Sequence, residues 1–300
     1  MYLNTAKRFS KVDSPVISTP IFAGYAAALR CELIERSREL AERNKLPHSF
    51  TYGEMPAVVF ESYNEGKAHG NFMSASYRAI VHEANWRKRL TKVHTHLARS
   101  YSPFRNSRAC ELDSCASSDA LLMNIFCHPH ANRSAHLRAL LGVYESAIPE
   151  FGVRARVPLV TGKFDRTEVD LRFGDLLIEA KLTETDFQSK QKKYLEAYRD
   201  LKEVFDLKLL PHKGEVYFGY QLIRNVLAAY AQDCLFCVLA DERRPDLKEM
   251  WYAVLQAVKP VTLRLRCKML TWQELAAVLP RDLQLFLNRK YGIVANIKNG

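Results

Sequence analysis

The succession of apolar and polar segments predicts an α/β (α+β) chain, with a central mixed sheet flanked by helices and a helical amino-terminal extension. Three observations carry this expectation. The second half reads helix, three strands, helix, strand, with one extra helix inserted and a helical tail. Within it, Glu168–Phe173 and Leu176–Leu182 are joined through Gly174-Asp175, a hairpin signal. Further on, Cys234 to Ala240 is a short apolar run fit for a strand buried on both faces.

Taken in order, residues 1–20 mix Ser, Thr and Pro and read as an arm. From Tyr25 to Arg43, Ala28, Leu29, Leu33, Ile34 and Leu40 recur at helical spacing. Ala57 to Phe60 reads as a short strand, Gly66 to Gly70 as a loop, and Tyr77 to about Leu97 as a basic helix or helix-loop. A turn-rich stretch, Ser100 to Ser118, separates a mainly helical basic region, 1–115, from a domain over 116–300. Ser117 and Ser118 can cap a helix through Leu121, Leu122, Ile125 and Phe126, and Ser134 another through Leu137, Leu141 and Tyr144. Arg154 to Val160 reads as a strand ended by the turn Thr161-Gly162-Lys163. Phe187 to Phe205 reads as a polar helix, Val216 to Tyr230 as a more apolar one, and Thr271 opens the helical tail.

Composition bounds the function. A chain of 300 residues, 48% hydrophobic and 26% charged, excludes wholesale disorder. Its 44 Lys and Arg against 33 acids leave a net charge of +11, which favours a polyanionic partner but also fits a solvated basic surface. No apolar run reaches membrane-spanning length, Met1–Ser10 lacks a secretory core, and seven irregularly spaced cysteines suit reduced thiols; together these predict a cytoplasmic protein.

The informative stretch runs from Thr167 to Glu184. Side chains two apart on a strand share a face, so Glu179 and Lys181 point together, as do Glu168 and Asp170. A tight hairpin sets the two polar pairs side by side. Carboxylates that close repel unless a cation intervenes, and Mg²⁺ characteristically takes one or two carboxylates and keeps several waters. A neighbouring Lys181 can orient a water or steady charge on a phosphate. An acid followed by Glu-x-Lys is a loose pattern, met once or twice by chance at this length. Its context is more selective: Leu176, Leu177 and Ile178 lead directly into Glu179, taking a charge where charges are normally paired or metal-bound. The bland alternative is an edge hairpin with solvated cross-strand ion pairs.

These residues resemble the active-site hairpin of the PD-(D/E)XK, or restriction-endonuclease-like, nuclease superfamily, whose core order matches Ser117 to Ala240. Thr-Glu-Val-Asp, Glu-Ala-Lys-Leu-Thr-Glu, Tyr220 to Asn225 and Thr271 to Leu275 resemble an uncharacterised bacterial branch of it. The resemblance implies a DNA phosphodiesterase in which Asp170, Glu179 and the Ala180 carbonyl bind Mg²⁺, or Mn²⁺ instead, and Lys181 assists the attacking water. Val169 stands where the "P" of the superfamily name would be, as in many members. The superfamily often adds a first-helix acid, for which Glu145 is the candidate, or else an exposed helix-end acid, and polar residues from the helix of Gln221 and Arg224, Gln221 reading equally as a surface residue; Glu168 is a further candidate carboxylate. Glu184 reads either as support or as the start of the next helix.

Trp86 to Arg108 carries Arg87, Lys88, Arg89, Lys92, Arg99, Arg105 and Arg108 without an acid, interleaved with Trp86, Tyr101 and Phe104. Such a stripe can neutralise phosphates, or simply be a solvated helix face. His94 with His96, and His128 with His130, lack a third metal ligand, and Cys234 with Cys237 read as buried thiols. The expected partner is therefore nucleic acid, with DNA the expected kind, a homodimer compatible and no membrane. The alternative function is a non-catalytic nucleic-acid-binding protein on the same fold; a structural partner protein is a third.

Overall fold

The computed structural model describes residues 22–51, 55–92, 110–144 and 147–295. Five strands form the central sheet: β1 (Pro149–Arg154), β2 (Glu168–Phe173), β3 (Leu176–Ala180), β4 (Leu235–Ala240) and β5 (Cys267–Thr271). Their spatial order is β5-β4-β3-β2-β1. The β1–β2 and β2–β3 pairs are antiparallel, while β4 runs parallel to both β3 and β5. This is the mixed, helix-flanked sheet that the sequence predicts.

Helices cover both faces because β3 and β4 are apolar on both. Leu177, Phe236, Val238 and Ala240 face one core, shared with α5 (Tyr220–Ala231) and α6 (Pro245–Leu255). Leu176, Ile178, Ala180, Cys237 and Leu239 face the other, shared with α3 (Ser118–Phe126), α4 (Ala135–Leu141), α7 (Trp272–Ala276) and α8 (Arg281–Tyr291). Leu29 and Leu33 of α1 (Phe22–Arg43) enter that same second core. A helix α2 (Ser74–His82) packs Tyr77 and Ile80 against α3. The serine caps are those expected, Ser117 accepting from Ala120 N–H and Ser134 from Leu137 N–H; in addition Thr271 and Glu274 form a capping box.

Several elements differ from expectation. The strand expected at Arg154–Val160 lies earlier, at Pro149–Arg154; Arg156 at φ +50° and Pro158, without an N–H, end the ladder. Phe187–Phe205 is not one helix. Ser189–Gln191 pairs with a strand at Val216–Phe218, and only Lys192–Leu195 and Leu201–Val204 are helical. The next helix starts at Tyr220, not Val216, because Gly219 turns the chain at φ +71°, where a Cβ would meet Val254 at 2.9 Å. The basic stretch after Tyr77 is broken into α2, Ala84–Arg87 and a 3₁₀ turn at Lys88–Thr91. The β5 strand, which periodicity did not mark, exists through its parallel partner β4.

Candidate active site

The β2–β3 hairpin brings three of the expected residues together. The ladder registers Leu171 with Ile178 and Phe173 with Leu176, then opens, and the Ala180 N–H turns to the Asp170 carboxylate at 2.7 Å instead of to a strand carbonyl. Residues on an extended strand present N–H and C=O to the same side, so the Ala180 carbonyl faces the Asp170 side as well. Lys181 Nζ lies 2.8 Å from Glu179 Oε1, and both side chains are almost wholly buried. Lys181 is held at every other polar group too: its N–H donates to Leu239, and its carbonyl accepts from Trp272 Nε1 at 2.9 Å. A ring of Phe187 lies 5.6 Å from its ammonium.

Behind this group stands α5. Asn225 Nδ2 donates to Glu179 Oε2 at 2.8 Å, and Arg224, which donates to the Glu168 carbonyl and to Asn225 Oδ1, lies 3.9 Å from Glu179. Asn225 was not singled out in the sequence; its signal is an amide next to Arg224 on an otherwise apolar buried helix face. Gln221 donates its backbone N–H to Phe187, and its Oε1 is buried with no hydrogen-bond partner among the described residues.

In front stands α3. Its first turn places Asp119 close enough to Asp170 to act on it electrostatically. This acid was missed in the sequence, where a carboxylate in the first turn of an apolar helix is its trace. Glu145 lies outside the described residues. Asp119 is buried and held by Arg89 at 2.6 Å and Lys92 at 3.3 Å. Burial works against both cations, but Asp119 together with Glu111, and for Arg89 also Glu168, outweighs it and raises both pKa values. Arg89 also reaches Glu168 at 3.4 Å across Gly152 of β1. Strict alternation fails here: Val169 joins the α5-side core and Leu171 the α3-side core, so Glu168 is exposed beside Arg89 and does not share a face with Asp170.

Two of the basic residues expected to face a polyanion are therefore turned inward, with Lys92 also 2.9 Å from Glu111. Arg87 and Lys88 are exposed. Arg99, Arg105, Arg108, His94, His96, Tyr101 and Phe104 lie outside the described residues. Glu184 does not start a helix. It accepts from Ser118 and from the Leu182 N–H, tying the end of the hairpin to α3. Arg244, fully buried, donates to the carbonyls of Leu182, Glu184 and Thr185 and clamps the same turn.

Burial first, then Glu179 and Asp119, push Asp170 well above the usual carboxylate range, against the pull of Lys181 and of the Ala180 N–H. Burial likewise opposes the Lys181 cation, but Glu179, Glu184 and Asp170 outweigh it and raise its pKa. Three acids around one ammonium, all oxygen donors with lone pairs in reserve, form a donor set suited to a hard divalent cation. Among the described residues no three His, Cys, Asp or Glu side chains are arranged as a complete metal site. The fit rests on Asp170, Glu179 and a backbone carbonyl. A separate cavity of about 330 Å³ is lined by residues such as Leu46, Tyr63 and Phe286, not by this group.

The family model for restriction endonucleases associating with ARP (REase-ARP) matches residues 41–292. The chain belongs to this restriction-endonuclease family. The match runs from the last turn of α1 through α8, so it takes in the whole central sheet and every residue placed around Asp170. No curated protein and no solved structure matches the chain. Among the described residues no helix is long and apolar enough to cross a membrane.

Proposed function

We propose that this REase-ARP chain is a metal-dependent nuclease that hydrolyses phosphodiester bonds of DNA at the Asp170–Glu179–Lys181 group. The observation that supports it most is the state of Asp170: a carboxylate crowded by two further acids, beside a buried ammonium, on a hairpin that stops pairing at that point. Asp170, Glu179 and the Ala180 carbonyl would hold Mg²⁺ or Mn²⁺. When bound, such an ion lowers the pKa of a water and screens the phosphate charge.

The protein's own groups have definite tasks. The carboxylates keep Lys181 protonated, so its Nζ is a hydrogen-bond donor, suited to positioning a water or steadying charge on a phosphate oxygen. It is not the proton acceptor in this state. Asn225 and Arg224 fix the Glu179 carboxylate, and Trp272 and Leu239 fix the Lys181 backbone, so neither reactive group has to be ordered at the moment of reaction. Asp119, anchored by Arg89 and Lys92, adds its negative charge to that of Glu179 acting on Asp170, a field a divalent cation there would relieve.

Plasmid and single-stranded DNA incubated with Mg²⁺, Mn²⁺ or chelator, beside a Lys181→Met variant, test this. Metal-dependent cutting is expected, reduced about 10²- to 10³-fold in the variant, the range for losing one charge-stabilising donor. A second reading is favoured by one feature: Glu179 is already satisfied, by Lys181 on one oxygen and Asn225 on the other, as in a structural ion pair. That reading is a nucleic-acid-binding protein without catalysis. It predicts binding in chelator and no cutting when metal is restored.

A further inference from the structure

Two segments flank the carboxylate hairpin: residues 155–167 lead into β2, and residues 182–194 follow β3. Backbone bonds tie the first segment to the chain just beyond the second, Val160 N–H to Ala197 and Arg199 N–H to Pro158. The two segments carry Phe164 and Tyr194, one on each, which are 54% and 52% exposed although both are large aromatics. Lys163, Arg166, Lys190 and Lys193 are exposed on the same segments, and none is ion-paired among the described residues.

The side chains form a connected chain back to the site. Lys190 Nζ lies 5.8 Å from the ring centres of both Tyr194 and Tyr220, and Lys193 Nζ 5.3 Å from that of Tyr194. Tyr220 and Tyr198 share a hydroxyl hydrogen bond, and Tyr198 donates to Asp165 at 2.6 Å. Tyr220 opens α5, the helix that brings Arg224 and Asn225 to Glu179. The nearby acids are engaged: Asp165 with Tyr198 and Thr167, Asp186 with the Gln188 N–H, and Glu196 and Glu215 near Lys192 at 3.9 and 3.8 Å. A solvated charged surface explains the lysines, but not two half-exposed aromatics beside them.

We infer that this flank binds an unpaired nucleic-acid strand, with Phe164 and Tyr194 stacking on bases and Lys163, Arg166, Lys190 and Lys193 contacting phosphates. The inference rests on the nuclease reading for its substrate class and narrows it to single strands or unpaired ends. Aromatic rings stack on splayed bases of any sequence, whereas the bases of an intact duplex are stacked on one another and offer such rings no face. The basic groups supply the electrostatic attraction and its salt dependence.

The test is fluorescence anisotropy of the full-length protein in chelator, with a short labelled oligothymidylate and a duplex hairpin of matched charge. Wild type is expected to bind the single strand more tightly. Phe164→Ala and Tyr194→Ala should each weaken that binding by roughly tenfold, within the range for removing one base-stacking ring, and leave the hairpin affinity nearly unchanged. Lys190→Gln with Lys193→Gln should lower the salt slope for the single strand by about 1.4, from about 0.7 per phosphate contact. Equal binding of the two probes, or aromatic variants that bind like wild type, would overturn the inference. Because no metal is present, failure of cleavage leaves this result standing, and failure here leaves the nuclease reading to its own test.

Discussion

Asp170 is the carboxylate that its surroundings perturb most within the candidate site. Its pKa is raised, so below that folded-state value it retains a proton that a bound cation must displace. Metal affinity should therefore climb as pH rises toward that value and level off above it, with proton release visible by calorimetry in buffers of different ionisation enthalpy. A pH-independent affinity would contradict the assignment of Asp170 as ligand. The sign for stability is the reverse. A carboxyl group whose folded pKa lies above its unfolded one favours the fold at low pH and costs stability as pH rises through the folded value. Asp170→Asn keeps an acceptor for the Ala180 N–H and removes the charge, so the metal-free variant should melt a few degrees higher at neutral pH while losing metal binding and cleavage. This is the usual conflict between a strained functional group and stability.

The hairpin carries its polar residues only because neighbouring elements hold them. β1 shows how. Gly152 has φ +65°, and a Cβ there would lie 2.1 Å from Arg89 Nη1, so glycine leaves the corridor through which Arg89 reaches Asp119 and Glu168. Gly152→Ala strains the backbone and displaces the guanidinium, leaving buried Asp119 with Lys92 alone. A loss of about 1–3 kcal/mol in chemical denaturation is expected, the scale for leaving a buried polar group short of a partner, together with weaker metal binding. Unchanged values in both would remove Arg89 from the account. Element boundaries around the site were legible in part. The two hairpin strands and the β4 strand were plain from apolar runs and a turn signal, and the caps of α3 and α4 from their serines. Phe187–Phe205 and the start of Val216–Tyr230 read as helix because the short strands there have no apolar period of their own. They are held by pairing Ser189–Gln191 with Val216–Phe218 and by the turn at Gly219.

At the scale of the whole molecule, the amino-terminal helix and the last helix close one face of the core, and the closure includes a buried cation. Lys290 of α8 is fully buried with its ammonium 4.3 Å from the Phe60 ring centre and no hydrogen-bond partner among the described residues. Burial lowers its pKa from 10.5 to about 8. Between these values the unfolded chain holds more protons than the folded one, so this group makes stability rise with pH from about 8 to 10.5. Lys290→Met should abolish that slope and stabilise the protein at neutral pH by on the order of 3 kcal/mol, less whatever the Phe60 ring contributes to the cation. Urea midpoints of both proteins across this pH range check it. By itself the sequence determined the class of fold and the juxtaposition of Asp170, Glu179 and Lys181, because strand period and turn chemistry are local and survive in one dimension. Only the tertiary structure decided which helix acid stands beside Asp170, that Asn225 and Trp272 hold its neighbours, and that Arg89 and Lys92 turn inward. Those outcomes depend on which distant elements pack together, and burial makes each charge take the partner that folding brings within reach.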